Sequence, residues 1–279
     1  MFLVLHQNDM DSLSFIKHLK INTIDHIAIS MQNLINNVQI KSELNDLQQE
    51  TYWLYQKRPI DFSTLTGIYN TTYYPEKDYF IDFKQEDVEY ARSEWHAYLL
   101  YVLANHHNCL NPVSHEQFVG THLSLLKLYR LAPIYRFLVP EHKIIYKNNQ
   151  AEIKNLMNRG YFFKTTTYDY VNYTNQAYSD PILAIKSYQG AEIICHIVDD
   201  YLISKIRYAD GESLCDLDDD IKQSCFNIVR DCHLRVAEIL LLRTPDNDYY
   251  LYHVSPFPNW NVMGENRKHC WDKLIHVLS

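Results

Sequence analysis

Residues 249–260 read Tyr-Tyr-Leu-Tyr-His-Val-Ser-Pro-Phe-Pro-Asn-Trp, with His253 and Ser255 two apart. On a strand, residues two apart share a face, so an imidazole and a hydroxyl would project side by side. A Ser-His nucleophile pair also needs an orienting acid and an oxyanion hole. The chain shows no nucleophile elbow, and a packed or surface histidine is the default reading. Cys232 and His233 are adjacent, and adjacent residues rarely both ligate one tetrahedral zinc ion. His106-His107 with His96, or His115 with His122, carry metal-binding donors, but histidines at helix ends are usually solvated. Asp216, Asp218, Asp219 and Asp220 are most simply the acidic start of a helix, where carboxylates meet the helix dipole. They lack the ligand spacing of an EF-hand calcium loop, and no metal site is expected. A tyrosine-rich stretch over 165–180 holds Tyr168, Tyr170, Tyr173 and Tyr178. Such side chains bring large amphipathic area at low entropy cost and are favoured at interfaces; packing of the loop on its own domain is the plainer alternative.

Composition narrows the field. The 279 residues are 47% hydrophobic and 22% charged, an ordinary soluble composition. That length allows one large or two to three small packed units. Net charge is −8 with histidine neutral, and no Lys/Arg block stands out, so nucleic acid is not an expected partner. The apolar start, Met-Phe-Leu-Val-Leu, is too short for a signal peptide or a membrane span and reads as a buried strand. Six scattered cysteines without a Cys-x-x-Cys pair read as reduced thiols of a cytoplasmic protein. Only 6 glycines stand against 23 tyrosines. Glycine lets the main chain approach phosphates closely at positive φ, so the chain looks short of a phosphate-binding loop.

Any such groups must be positioned by alternating strands and helices, which predict an α/β layer unit at the N-terminus. A strand over 1–5 precedes a helix capped by Asp11-Ser12 and running to about Leu19. A second strand covers 24–30. Residues 32–56 carry helix-compatible apolar positions at Leu34, Val38, Leu44 and Leu47, then Trp53 and Tyr55. A short strand spans 66–69. Within 85–107, Val88, Ala91, Trp95, Leu99, Val102 and Leu103 recur at three- and four-residue steps, the pattern of an amphipathic helix. A turn at Asn111-Pro112 leads into a helix over about 118–132, with Pro133 and Pro140 at its exit. Strands at 143–146 and 161–164 flank a helix at 150–158. Further strands follow at 182–188, 192–198 and 200–207. A helix over 219–236 precedes a hairpin of 238–243 and 249–254, and a last helix covers 265–277.

This order of elements, with the segment 249–260, resembles the ATP-grasp superfamily. It is most similar to the glutathione-synthetase-like branch and, within it, to the microviridin or graspetide macrocyclases that cross-link ribosomally made peptides. The family's strand reads roughly Phe-Leu-Glu-Val-Asn-Pro, and its Glu and Asn hold the magnesium ions of ATP. Here His253 and Ser255 stand at those positions, while Leu251, Val254, Pro256 and Trp260 keep the framework. The opening Leu-Val-Leu-His-Gln-Asn-Asp, Ile68-Tyr69-Asn70-Thr71, Asn111-Pro112 and Leu138-Val139-Pro140 fall in the family's order. The resemblance implies further positions. Lys164 falls on the strand whose lysine contacts ATP phosphates. Ile185-Lys186 falls on the hinge where Gln-Glu would hold the adenine edge, which makes Lys186 a lesser nucleotide contact. Ile194 stands where an Arg would hold the transferred phosphate, and Leu240 where the first magnesium Asp would be. A second ATP lysine, sought near 121–127, has no counterpart in register.

The expected fold is α/β, an α+β grasp in three parts with an N-terminal α/β pre-grasp unit. The pre-grasp domain covers 1–115, a linker helix and small grasp subdomain 116–180, and a C-terminal grasp subdomain with an antiparallel sheet 181–279. Acyl-phosphate formation needs metal and arginine to stabilise the transferred phosphoryl group. With Ile194, Leu240, His253 and Ser255 at degenerate positions, no catalytic residue is assigned and no cofactor is expected. The leading expectation is an inactive homologue, a pseudoenzyme that binds a peptide or an active ATP-grasp partner in ribosomal-peptide modification. Its cleft would be lined by tyrosine and aliphatic groups rather than by a basic cluster. The alternative is an active ATP-dependent carboxylate–amine or carboxylate–hydroxyl ligase. It would use ATP and magnesium at a divergent metal site, and Lys164, Glu192 and Glu238 would have to be recruited for the activity. A third class is a structural or regulatory interaction protein. Tyr168, Tyr170 and Tyr173 are the candidate contacts, membrane is not an expected partner, and homo- and hetero-oligomers both stay open.

Overall fold

In the computed structural model, which describes residues 1–44, 49–72, 74–114, 118–120, 124–146, 150–165, 181–208 and 211–279, the apolar start Phe2–His6 forms strand β1, buried along its whole length. A strand buried on both faces pairs through crossovers rather than tight hairpins. Helix α1 (Met10–Ile21) supplies the first crossover, to β2 (His26–Ser30). Its cap is Asp9, whose carboxylate accepts from the Ser12 N–H at 2.8 Å. That corrects the expected Asp11-Ser12 cap, since Asp11 lies inside the first turn.

The region 32–56 departs most from expectation. Among its described residues, only those of α2 (Met31–Asn37) are helical. Strands β3 (Gln39–Leu44), β4 (Gln49–Tyr55) and β5 (Arg58–Asp61) form an antiparallel sheet instead. Trp53 on β4 is fully buried, and its indole N–H donates to the Tyr98 hydroxyl at 2.7 Å. A buried cross-strand aromatic outweighs loose helical spacing.

Strand β6 (Ile68–Asn70), helix α3 (Val88–Ala104) and strand β7 (Cys109–Leu110) complete a parallel sheet in the order β2-β1-β6-β7. Helix α3 buries the spaced residues Val88, Ala91, Leu99, Val102 and Leu103.

The remaining elements build two sheets. Helix α4 (Leu125–Leu131) is shorter than the expected 118–132, because Ser124 caps it. Strands β8 (His142–Ile145), β9 (Tyr161–Thr165) and β10 (Ile182–Lys186) pair antiparallel in the order β8-β10-β9, with α5 (Gln150–Asn158) between β8 and β9 in sequence. Ile145, Ile153, Leu156, Tyr161, Ile182 and Ala184 form their shared core. Next come β11 (Ala191–Val198), β12 (Tyr201–Tyr208), the unexpected β13 (Gly211–Cys215), α6 (Asp219–Asp231), β14 (Val236–Arg243) and β15 (Tyr249–Ser255). They make a five-stranded sheet ordered β13-β12-β11-β14-β15. The acidic run opens α6, with Asp218 at its cap position. That helix ends at Asp231 rather than near 236, because His233 takes a left-handed φ of 54°. Helix α7 (Arg267–Leu278) closes the chain.

Two compact units result. Unit 1 is Met1–His122, His233–Val236 and Asn259–Ser279; unit 2 is Leu123–Cys232 and Ala237–Pro258. Residues 259–279, expected at the end of the C-terminal grasp subdomain, thus pack in unit 1. Tyr168, Tyr170, Tyr173 and Tyr178 lie outside the described residues, as do His115 and His122. Among the described residues, no helix is long and apolar enough to cross a membrane.

Candidate functional site

Strand alternation in unit 2 sorts the candidate residues. On β9, Tyr161 and Phe163 pack with the α5 core, so Phe162 and Lys164 face the other way. On β10, Ile182 and Ala184 join that core, which turns Leu183 and Ile185 to the face of Phe162 and Lys164. The five-stranded sheet sorts likewise. Leu240 stands directly opposite His253, and Glu238 opposite Ser255. His196 Nε2 donates to Glu238 at 2.9 Å, so Ile194 and His196 share the face of Glu238, Leu240, His253 and Ser255. The two faces meet along β15. Phe162 stacks on Tyr252, centroids 5.8 Å apart at 27°, and the Lys164 charge acts on His253.

Burial sets the electrostatics of these groups. His253 is 8% exposed, and burial, then the neighbouring Lys164 charge, push its pKa down to about 3. It is a neutral imidazole at physiological pH. Ser255 is buried and closes a local turn, accepting from the Phe257 N–H at 3.0 Å. Ile194 is buried and Leu240 partly so. Opposite Ile194 on β12 stands Lys205, ion-paired with Glu212. Arg207 lies 3.4 Å from Glu192 and 3.6 Å from Glu212. Lys186 is held elsewhere: its ammonium donates to the Arg159 carbonyl and sits 5.0 Å from the Tyr161 ring centroid. Tyr161 and Lys164 are three residues apart on β9, roughly 10 Å. The structure therefore brings Lys164, Leu240, His253 and Ser255 to one face-to-face region and leaves Lys186 at the far end.

Two features escape a linear reading. The first is the His196–Glu238 pair, fully buried at His196 and 20% exposed at the Glu238 side chain. Each interrupts an apolar run within its strand, and buried polar groups require partners, which is the signal that could have joined them. The second is Tyr252. The register slips between Leu240 and Leu241 so that Tyr252 has no cross-strand partner, and its hydroxyl donates to the Lys186 carbonyl at 3.0 Å. Elsewhere, Cys232-His233 and the His96, His106 and His107 group join no metal-holding cluster among the described residues.

Solved structures match this arrangement end to end. The macrocyclase MdnC of Microcystis aeruginosa, bound with its precursor peptide MdnA, aligns at a TM-score of 0.78 and 12% identity, covering 100% of this chain and 99% of that one. A RiPP-associated ATP-grasp ligase of Chryseobacterium gregarium, in complex with ADP and a leader and core peptide, gives 0.72 and 12%, covering 100% and 96%. The chain has the ATP-grasp fold. A RimK-domain ATP-grasp protein of Sphaerobacter thermophilus is similar at 0.59 and 9%, covering 100% and 99%. By sequence, no family model and no curated protein matches. At such identities the likeness is one of fold, and the chemistry rests on the residues that the ATP-grasp scaffold carries here.

Proposed function

We propose that the chain is a non-catalytic ATP-grasp homologue that binds a peptide, or an active ATP-grasp partner, in ribosomal-peptide modification. The Leu240–His253 pair carries this reading. Magnesium takes hard oxygen ligands in near-octahedral geometry, usually with carboxylates among them. Leucine offers no donor, and a neutral, buried imidazole beside Lys164 offers neither oxygen nor negative charge. The metal and triphosphate implied by the fold do not fit this residue set. Ile194 supplies no charge for a transferred phosphoryl group, and Lys205 across from it is already engaged by Glu212. Loss of one such stabilising donor typically costs about 2.7–4 kcal/mol in the transition state.

Peptide binding is supported by solved neighbours that hold precursor or leader and core peptides. In this reading unit 1 contains the pre-grasp domain expected over 1–115. Unit 2, which begins at Leu123, takes in most of the expected linker and small subdomain (116–180) and the grasp sheet that begins after 181. Tyr168, Tyr170 and Tyr173 are the proposed peptide or partner contacts, and the free thiols fit a cytoplasmic setting.

One observation favours the ligase alternative. Glu238 places a partly exposed carboxylate one residue pair beyond Leu240 and His253 on the same face. ADP release decides between the two. With magnesium ATP and candidate precursor peptides, turnover should equal the buffer control. Peptide-stimulated release that both Lys164→Ala and Glu238→Gln abolish would establish the ligase reading and overturn ours.

A further inference from the structure

The end of β10 presents the Lys186 carbonyl and, two residues on, the Tyr188 N–H. A backbone acceptor and donor so spaced complement the edge of adenine, which sets an amino donor beside a ring-nitrogen acceptor. The carbonyl is already engaged by a side chain, which also lies against the N–H. The Tyr252 hydroxyl donates to the Lys186 carbonyl at 3.0 Å, and the Tyr188 N–H acts on the same oxygen. The Tyr252 ring is 7% exposed and stacks on Phe162, which shares its sheet face with Leu183 and Ile185, both fully buried.

The surroundings hold this arrangement in place. The register slip on β15 takes Tyr252 out of the ladder, and bulges re-aim side chains in this way. Tyr188 stacks on Tyr250 at 4.6 Å and 20°, and its hydroxyl accepts from the Glu141 N–H at 3.3 Å. The segment after β10 is thereby fastened around the Tyr252 hydroxyl. At the matching position the ATP-grasp strand quoted above has leucine, a residue with neither ring nor hydroxyl.

We propose that Tyr252 is a built-in occupant of a purine slot, its ring and hydroxyl standing where the base of an adenine nucleotide would stack and hydrogen-bond. This rests on the non-catalytic reading and deepens it, by naming the group that excludes the nucleotide.

Adenosine lacks phosphates and so tests the slot apart from the metal positions. Calorimetric titration of adenosine into the full-length wild type, Tyr252→Phe and Tyr252→Leu should give saturable binding only for Tyr252→Leu. That variant frees the carbonyl and keeps apolar packing, whereas phenylalanine still fills the slot. Tyr252→Leu should bind adenosine at least tenfold more tightly than guanosine and than the wild type does. Adenosine binding by the wild type equal to that of Tyr252→Leu overturns the proposal, as does a folded Tyr252→Leu with no gain. If Tyr252→Leu does not fold, hydrogen exchange of Tyr252→Phe decides. The Tyr188 amide, without the hydroxyl oxygen that lies against it, should exchange at least tenfold faster, and unchanged exchange overturns the proposal. ADP release keeps the two readings separate: adenosine bound by the wild type without turnover sinks only the occupied slot, while turnover sinks the non-catalytic reading.

Discussion

His253 shows what burial beside a lysine does to an imidazole. A carboxylate beside Lys164 would be stabilised by it, whereas an imidazolium there would be a buried cation beside another cation. With a folded pKa of about 3 against 6.5 unfolded, the folded state favours the neutral ring. The stabilisation is therefore present above pH 6.5 and is lost as pH falls from there toward 3. At about 1.4 kcal/mol per unit, the loss by pH 4 is on the order of 3 kcal/mol. Urea unfolding of wild type and His253→Leu from pH 7 to pH 4 should give curves that diverge by that amount, the wild type falling faster. Burial also lowers His6, His96 and His106, but these remain in both proteins and cancel in the difference. Parallel curves would mean that His253 is protonated in the fold. At this scale, spacing within the motif was enough to put His253 and Ser255 on one face, since strand period is local, whereas Lys164 lies on a strand far off in the sequence and entered only through the family resemblance. Tyr252 was not legible, because a bulge leaves no mark in an alternation of apolar residues.

Among the elements, the join between Asn111 and β14 shows how a short motif acts at a distance. Asn111 Nδ2 donates to the Val236 carbonyl at 2.7 Å, and its Oδ1 accepts from the Arg235 and Val236 N–H groups, each at 2.8 Å. Its backbone adopts φ 54°, a conformation asparagine tolerates better than most residues. Asn111→Ala would strand three backbone groups, the Val236 pair in buried surroundings, and add left-handed strain. Each unsatisfied buried group costs about 1–3 kcal/mol, so chemical denaturation should show a loss of at least about 3 kcal/mol. Asn111→Asp, which keeps the acceptor, should lose less. A loss below 1 kcal/mol for Asn111→Ala would show that the clamp is replaced by water. The Asn-Pro dipeptide was visible in the sequence as a turn, but its partners lie more than a hundred residues away and no local pattern names them. The β3–β5 sheet was hidden for a related reason, since Trp53 is buried through pairing that spacing alone does not reveal.

Across the whole molecule, the sequence makes α7 recognisable as a closing helix but not its destination. It returns to unit 1, whose other parts are residues 1–122 and 233–236. Trp271 packs 5.9 Å from the Phe15 ring and 5.2 Å from His18, and Asp272 lies 3.0 Å from His18. Asn108 Nδ2 donates to the Val277 carbonyl at 3.1 Å, and a Cβ on Gly67 would meet Leu278 at 2.8 Å, so only glycine lets the two approach there. Trp271, Leu274 and Leu278 are each at most 3% exposed. Burying a large apolar side chain contributes roughly 1.5–3 kcal/mol, so these three together are comparable with the 5–15 kcal/mol that holds a typical domain. A chain ending at Pro258 should therefore lose the fold of unit 1 while unit 2 keeps its sheets. Hydrogen exchange measures this directly: amides of β1 and β6 should lose most of their protection, and those of β11 and β12 should retain it. Adding a synthetic peptide of residues 259–279 should restore protection in β1. Full protection of β1 in the truncated chain would show instead that the N-terminal stretch folds alone and that α7 is an attachment to it.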